Sequence, residues 1–216
     1  MPKWGKMIIA LLLLPLCLGA LPALWRVAKA AGGADTVWMP LLAGAGCWLI
    51  IFLLLPKPMW LYVVGHELTH ALWTWLFLGR VKRFKATAKG GHVVVTRNNF
   101  LITLAPYFFP FYAVAVIAVF MAGHCLWDGS RLRAWFHLLL GAAYAFHLTL
   151  TWEVIQTRQP DITSQGYLFS GVIIFLGNIA VLLIGLPLLT NVEVLTALGW
   201  WLRETGDILL RLRRWL

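Results

Sequence analysis

The chain has 216 residues, enough for one or two domains by length alone, but 61% are hydrophobic and only 12% are charged. Soluble domains carry roughly 25% charged and 45–50% apolar residues, so with a mean hydropathy of +0.81 the apolar residues exceed what one core can hide. Ordinary soluble, disordered, collagen-like and disulfide-scaffold classes are excluded, and lipid is the expected solvent. The net charge of +10 comes from 18 Lys and Arg that sit in short clusters between apolar runs, the pattern of membrane-flanking anchors and not of a nucleic-acid platform. Cys17, Cys47 and Cys125 form neither an even set nor a C-x-x-C ligand pair.

A spanning helix needs about 20 mostly apolar residues, and six such runs can be read in chain order. The first, about Met7 to Trp25, follows Lys3 and Lys6 and lacks a small-x-small cleavage site, so it is expected to be an uncleaved anchor. The second, about Val37 to Leu55, stops at Pro56-Lys57-Pro58, where two prolines deny backbone donors. The third runs from Met59 to about Leu78. Between Arg80 and Arg97 the texture changes to a short β-hairpin, with Lys89-Gly90-Gly91 at the turn and β-branched residues after it. The fourth run, about Phe100 to Ala122, contains Pro106 and Pro110 and is expected to begin broken or kinked. Polar residues Gly123 to Arg133 separate it from a fifth run, about Ala134 to Ile155, and Gln156 to Gly166 leads to a sixth, about Tyr167 to Leu189.

After Asn191, Val194, Leu195, Leu198, Leu202, Leu209 and Leu212 recur at helical spacing, with Arg203, Arg211, Arg213 and Arg214 on the other face. This predicts an amphipathic helix on the membrane surface. Trp25, Trp38, Trp60, Trp127, Trp200 and Trp201 stand near run ends, as interfacial anchors do. With six spans each side of the membrane receives nine Lys and Arg, so charge gives no orientation. The expected fold is an all-α polytopic membrane protein of about six transmembrane helices, with a short β-hairpin after the third and an amphipathic C-terminal helix. Residues 1–190 are expected to form a single transmembrane domain and 191–216 an interfacial tail.

Within the third run stands Gly65-His66-Glu67-Leu68-Thr69-His70, an H-E-x-x-H motif. Residues four apart on an α-helix differ by about 40° around the axis and one turn along it, so His66 and His70 can present imidazoles to one metal ion. Glu67 beside them is placed as a general base, because the metal lowers the pKa of its water towards 7 and a carboxylate can take the proton. Composition alone yields such a match about three times in a thousand chains. Two histidines and a carboxylate inside an apolar run are also costly in hydrocarbon and mark a functional site. A catalytic zinc takes a third protein ligand and keeps one open position. The candidates are Asp161 in Gln159-Pro160-Asp161, His147 and Glu153 on the fifth run, and His137 near its start; Asp161 also suits a helix start.

An H-E-x-x-H inside a span, followed by a hairpin, a proline-containing span and a later Asp near the start of another span, resembles the site-2 protease family of intramembrane zinc metalloproteases. The resemblance covers roughly His66 to Ser170. It implies His66, His70 and Asp161 as ligands of one Zn2+ per chain, Glu67 as the general base, and a metalloprotease-like core at about 59–190. The family's third ligand stands in an Asn-Pro-x-x-Asp-Gly or Leu-Asp-Gly context, whereas Asp161 has no Gly directly after it. The family's Gly-Pro-x-x-Asn element has only a loose counterpart in Asn98-Asn99-Phe100, which makes Asn99 the candidate substrate-binding residue. The resemblance implies a zinc endopeptidase that cuts membrane-spanning segments of protein substrates, in a bacterial cytoplasmic membrane with the hairpin on the cytosolic side. Its partners would be membrane-protein or peptide substrates and the lipid bilayer, with no nucleic acid.

Two other readings stand beside the enzyme. One is a zinc-binding membrane protein or assembly factor without proteolysis, and the other is an interaction protein with a polar helix interface. Only hydrolysis needs Glu67 beside the two histidines, and only the first two readings need a metal.

Overall fold

The computed structural model describes residues 2–87, 90–126 and 132–214. Lys89, Trp127, Arg131 and the side chain of Cys125 lie outside the described residues. The chain is mostly helical: α1 (Lys3–Ala30), α2 (Asp35–Leu54), α3 (Met59–Leu76), β1 (Val81–Thr87), β2 (Gly90–Val95), α4 (Phe100–Leu104), α5 (Phe111–Leu126), α6 (Arg133–Ile155), α7 (Pro160–Gln165), α8 (Tyr167–Leu189) and α9 (Val194–Arg213).

Among the described residues α1, α2, α6 and α8 are long and apolar enough to cross a membrane. A fifth span results if Phe100–Tyr107 and Phe111–Gly123, bent by 81° at their junction, count as one. That break falls where Pro106 and Pro110 remove backbone donors, as the fourth run predicted. The remaining expected span is α3, 18 residues long, whose apolar run is diluted by His66, Glu67 and His70. Large apolar side chains face outward along the spans, among them Leu12, Leu53, Leu54 and Leu188, each more than 70% exposed. Such a surface is costly in water and suited to hydrocarbon.

The contacts divide the chain into two compact units, residues 1–35 with 160–216 and residues 36–159. In the first, α1 packs on α8 and α9 around Ala20, Ala23, Val27, Ile179, Leu183 and Ala197. Gly19 lets α9 approach closely: a Cβ there would collide with the backbone of Thr205. Small residues at such crossings let helices gain van der Waals contact where lipid offers no hydrophobic drive. The Trp201 indole donates to Leu16 O at 2.8 Å, and Arg26 pairs with Glu204. The amphipathic tail thus lays part of its surface against α1 and α8.

In the second unit α2 meets α6 through a reciprocal pair of glycines: a Cβ on Gly44 would strike the Leu138 carbonyl, and one on Gly141 the Leu41 carbonyl. Trp48 of α2 donates to Thr149 Oγ1 of α6 at 2.8 Å. The hairpin strands pair antiparallel from Val81↔Val95 to Thr87↔Gly90. Gly90 carries the positive φ, 133°, expected of the turn, while Gly91 is already paired with Ala86 in the ladder. The hairpin packs on α3. Helix α3 ends with Leu78 in the left-handed region, φ 58°, and Gly79 N–H donating back to Thr74 O at 2.8 Å, a Schellman-type stop.

Candidate metal centre

His66, Glu67 and His70 lie in the middle of α3, in a helix whose buried threonine hydroxyls are satisfied within the helix itself. Thr69 donates to Gly65 O at 2.7 Å and Thr74 to His70 O at 2.8 Å, the back-bonding that lets hydroxyls sit in apolar surroundings. The two imidazoles lie edge to face, 4.9 Å between centroids, and the buried ring of Tyr107 stands edge-on to His66 at 5.2 Å. One ligand atom from each of His66, His70 and Asp161 falls within 4.8 Å of the others, close enough to hold one metal ion. Asp161 is in the first turn of α7, which begins at Pro160, so it occupies the helix-start position that its sequence context also suits.

His70 is oriented for ligation. Its Nδ1 lies 2.9 Å from the carbonyl oxygen of Ile102, and since a carbonyl only accepts, Nδ1 carries the proton and Nε2 keeps its lone pair. This is the outer hydrogen bond that metal-ligating histidines ordinarily make. Ile102 is itself held, because its N–H donates to Asn99 Oδ1 at 2.9 Å, Asn99 being the N-cap of α4. Asn98 Oδ1 accepts from Thr103 at 2.9 Å. The expected substrate-binding residue is therefore engaged, through its carboxamide oxygen, in fixing the turn that aims His70.

Glu67 is buried, 6% exposed, and lies against the hairpin. A Cβ added to Gly91 would come within 2.7 Å of Glu67 Cγ and 2.8 Å of Oε1, so β2 runs past the carboxylate at a distance only glycine permits. Gly65 plays a similar part on the other side, where a Cβ would meet Tyr112 Cε2 at 2.7 Å. Tyr112 in turn donates to Leu61 O at 2.6 Å and ties α5 to α3.

The alternative third ligands are distributed differently. Glu153 pairs with Lys57 at 2.6 Å. His137 is buried near the start of α6. His147, also buried, lines a cavity of about 20 Å³ together with His66, Gly65, Thr69, Tyr62 and Tyr112. Neither the Gly91 approach nor the Ile102 carbonyl was marked by the motif; a glycine pair after a basic strand and an Asn-rich turn were the only traces.

Comparison with family models, with curated proteins and with solved structures finds no match to this chain.

Proposed function

We propose that the chain is a zinc-dependent intramembrane endopeptidase of site-2 protease type, hydrolysing peptide bonds in membrane-spanning segments of other proteins. The observation that carries this reading is that one ligand atom from each of His66 and His70, on the helix that bears Glu67, and one from Asp161 of α7 lie within 4.8 Å of one another. Two imidazoles and one carboxylate suit zinc and leave a coordination position open. A zinc ion held there would supply Lewis acidity and a water of lowered pKa.

The chain's own residues carry the remaining tasks. Glu67 takes a proton at its carboxylate oxygen from the attacking water and returns it to the nitrogen of the leaving amine. Ile102 O holds the proton on His70 Nδ1 and so keeps Nε2 for the metal. A peptide bond inside a helix is shielded by its own hydrogen bonds, so substrate must unwind locally. The edge of β2 that has no strand partner among the described residues offers backbone groups to such an extended segment.

The test is zinc content and cleavage in the full chain, purified in detergent and reconstituted. About one zinc per chain is expected, lost in His66→Ala, weakened in Asp161→Ala and kept in Glu67→Gln. Mass spectrometry of new termini should find cuts within spans of co-reconstituted membrane proteins for the unaltered chain and none for Glu67→Gln. No zinc after reconstitution with metal would overturn the proposal. A second reading, a zinc-binding protein without proteolysis, is favoured by the small cavity beside His66, about 20 Å³; zinc retained with no cleavage by the unaltered chain would select it.

A further inference from the structure

Between Glu67 and Asp128 the sequence holds six Lys and Arg and no acidic residue, and all six stand on or beside the hairpin. Arg97 is used within the fold, its guanidinium donating to Phe77 O at 3.3 Å, where α3 ends. Lys82, Arg83 and Lys85 are exposed, and among the described residues no carboxylate pairs with them. A cluster of cations without internal counter-charge attracts an anion from outside the chain.

The strand register divides the hairpin into two faces, because side chains alternate along a strand and directly opposed residues share a side. Gly91 is paired with Ala86, and Val93 with Phe84; this is the side that Gly91 turns towards Glu67. Arg83 is opposite Val94, and Lys85 opposite His92, on the reverse side, away from Glu67. All four are exposed. Arg83 and Lys85 are two residues apart on β1, about 6.7 Å, and His92 lies about 5 Å across from Lys85, a spacing at which their donors can close on one phosphate. Lys82 is the extra residue where the register shifts between Val81 and Arg83, and it adds a cation next to Arg83.

The neighbouring surface is apolar. Trp75, Leu76 and Leu78, at the C-terminal end of α3, are exposed and come just before Arg80 in the chain. An aromatic and aliphatic band bordering a cationic one fits the boundary between hydrocarbon and lipid headgroups. A soluble polyanion on the hairpin would leave those three apolar side chains in water. We propose that the outward face of the hairpin, built on Arg83, Lys85 and His92, is a docking site for the headgroup phosphates of anionic phospholipid. The headgroup layer then backs the strand whose other side runs past Glu67. The site does not depend on the peptidase reading.

The experiment uses the full chain in nanodiscs of equal parts phosphatidylglycerol and phosphatidylcholine. p-Benzoylphenylalanine placed at Val94, on the outward face opposite Arg83, is photolysed, and its lipid adducts are identified by mass spectrometry. Each Lys or Arg near an anionic surface is worth about fivefold in affinity, so phosphatidylglycerol adducts should exceed phosphatidylcholine adducts by at least about fivefold. The excess should fall to near parity in Lys82→Gln/Arg83→Gln/Lys85→Gln, with an unchanged unfolding midpoint. High salt, which screens exposed charges, should shrink the excess in the unaltered chain and so tests the same attraction without a variant. The same label at Val119, exposed on α5, should show no headgroup preference. Adducts at parity at Val94 in the unaltered chain, no lipid adduct there, or an excess that survives both the triple variant and high salt overturns the proposal. Capture at Val94 of a co-reconstituted acidic peptide in preference to lipid overturns it too, and assigns the face to protein docking.

Discussion

Replacing Gly91 by alanine separates the placement of Glu67, the proposed general base, from the proposed binding of metal. The added methyl would sit 2.7 Å from Glu67 Cγ, 2.8 Å from Oε1 and 2.7 Å from the Lys85 carbonyl oxygen of the neighbouring strand. Carbon atoms rest about 3.5 Å apart, so Glu67 or β2 must yield by about 0.8 Å. Since a misplacement of about 1 Å at a reacting centre costs about 10²-fold in rate, Gly91→Ala is expected to lower kcat by about that factor, near 2.7 kcal/mol. Zinc content should not change, because Glu67 is not among the converging ligands. Gly46→Ala is the control, as a Cβ there meets nothing within 4 Å. The assay is cleavage of a quenched spanning peptide beside zinc per chain by atomic absorption. Full activity in Gly91→Ala, or a loss of zinc equal to the loss of activity, would refute the proposed contact between β2 and the base.

Asn99→Ala removes the cap of α4 and should lower stability by about 1 kcal/mol, seen as a reduced unfolding midpoint in detergent. It should also weaken zinc binding through Ile102 and His70, with Asn99→Asp restoring both. Val94→Pro, on β2, should cut cleavage while leaving zinc intact; unchanged cleavage would remove the strand-pairing step. Leu78→Gly relieves a left-handed leucine at the end of α3 and should raise stability by about 1 kcal/mol, measured by the same unfolding midpoint.

The histidines and Glu67 could be read from the sequence because helical spacing fixes which side chains share a face, and because three polar groups are costly in an apolar run. The kink before α5 was legible for a similarly local reason: Pro106 and Pro110 act wherever they stand. The hairpin register was partly legible, with Gly90 meeting the turn's demand for positive φ and Gly91 serving the ladder instead. What stayed hidden is what depends on a second element. An amphipathic pattern tells that α9 has an apolar face but not that α1 and α8 cover part of it. No local rule links Ile102 to His70 across 32 residues, or sets Gly91 against Glu67. His147 could be noticed as a buried histidine, but its cavity exists only once α6 has packed beside α3.

The division of the chain into a continuous unit, 36–159, and a discontinuous one, 1–35 with 160–216, has a consequence for biogenesis. The continuous unit has all of its own sequence as soon as Gln159 has been translated. Helix α1 precedes its partners α8 and α9 by about 130 residues, so its flank around Gly19 is complete long before the surface that covers it. Translational pausing between α2 and α7 should therefore expose α1 to quality-control factors that recognise an unaccompanied helix, while leaving the nested unit untouched.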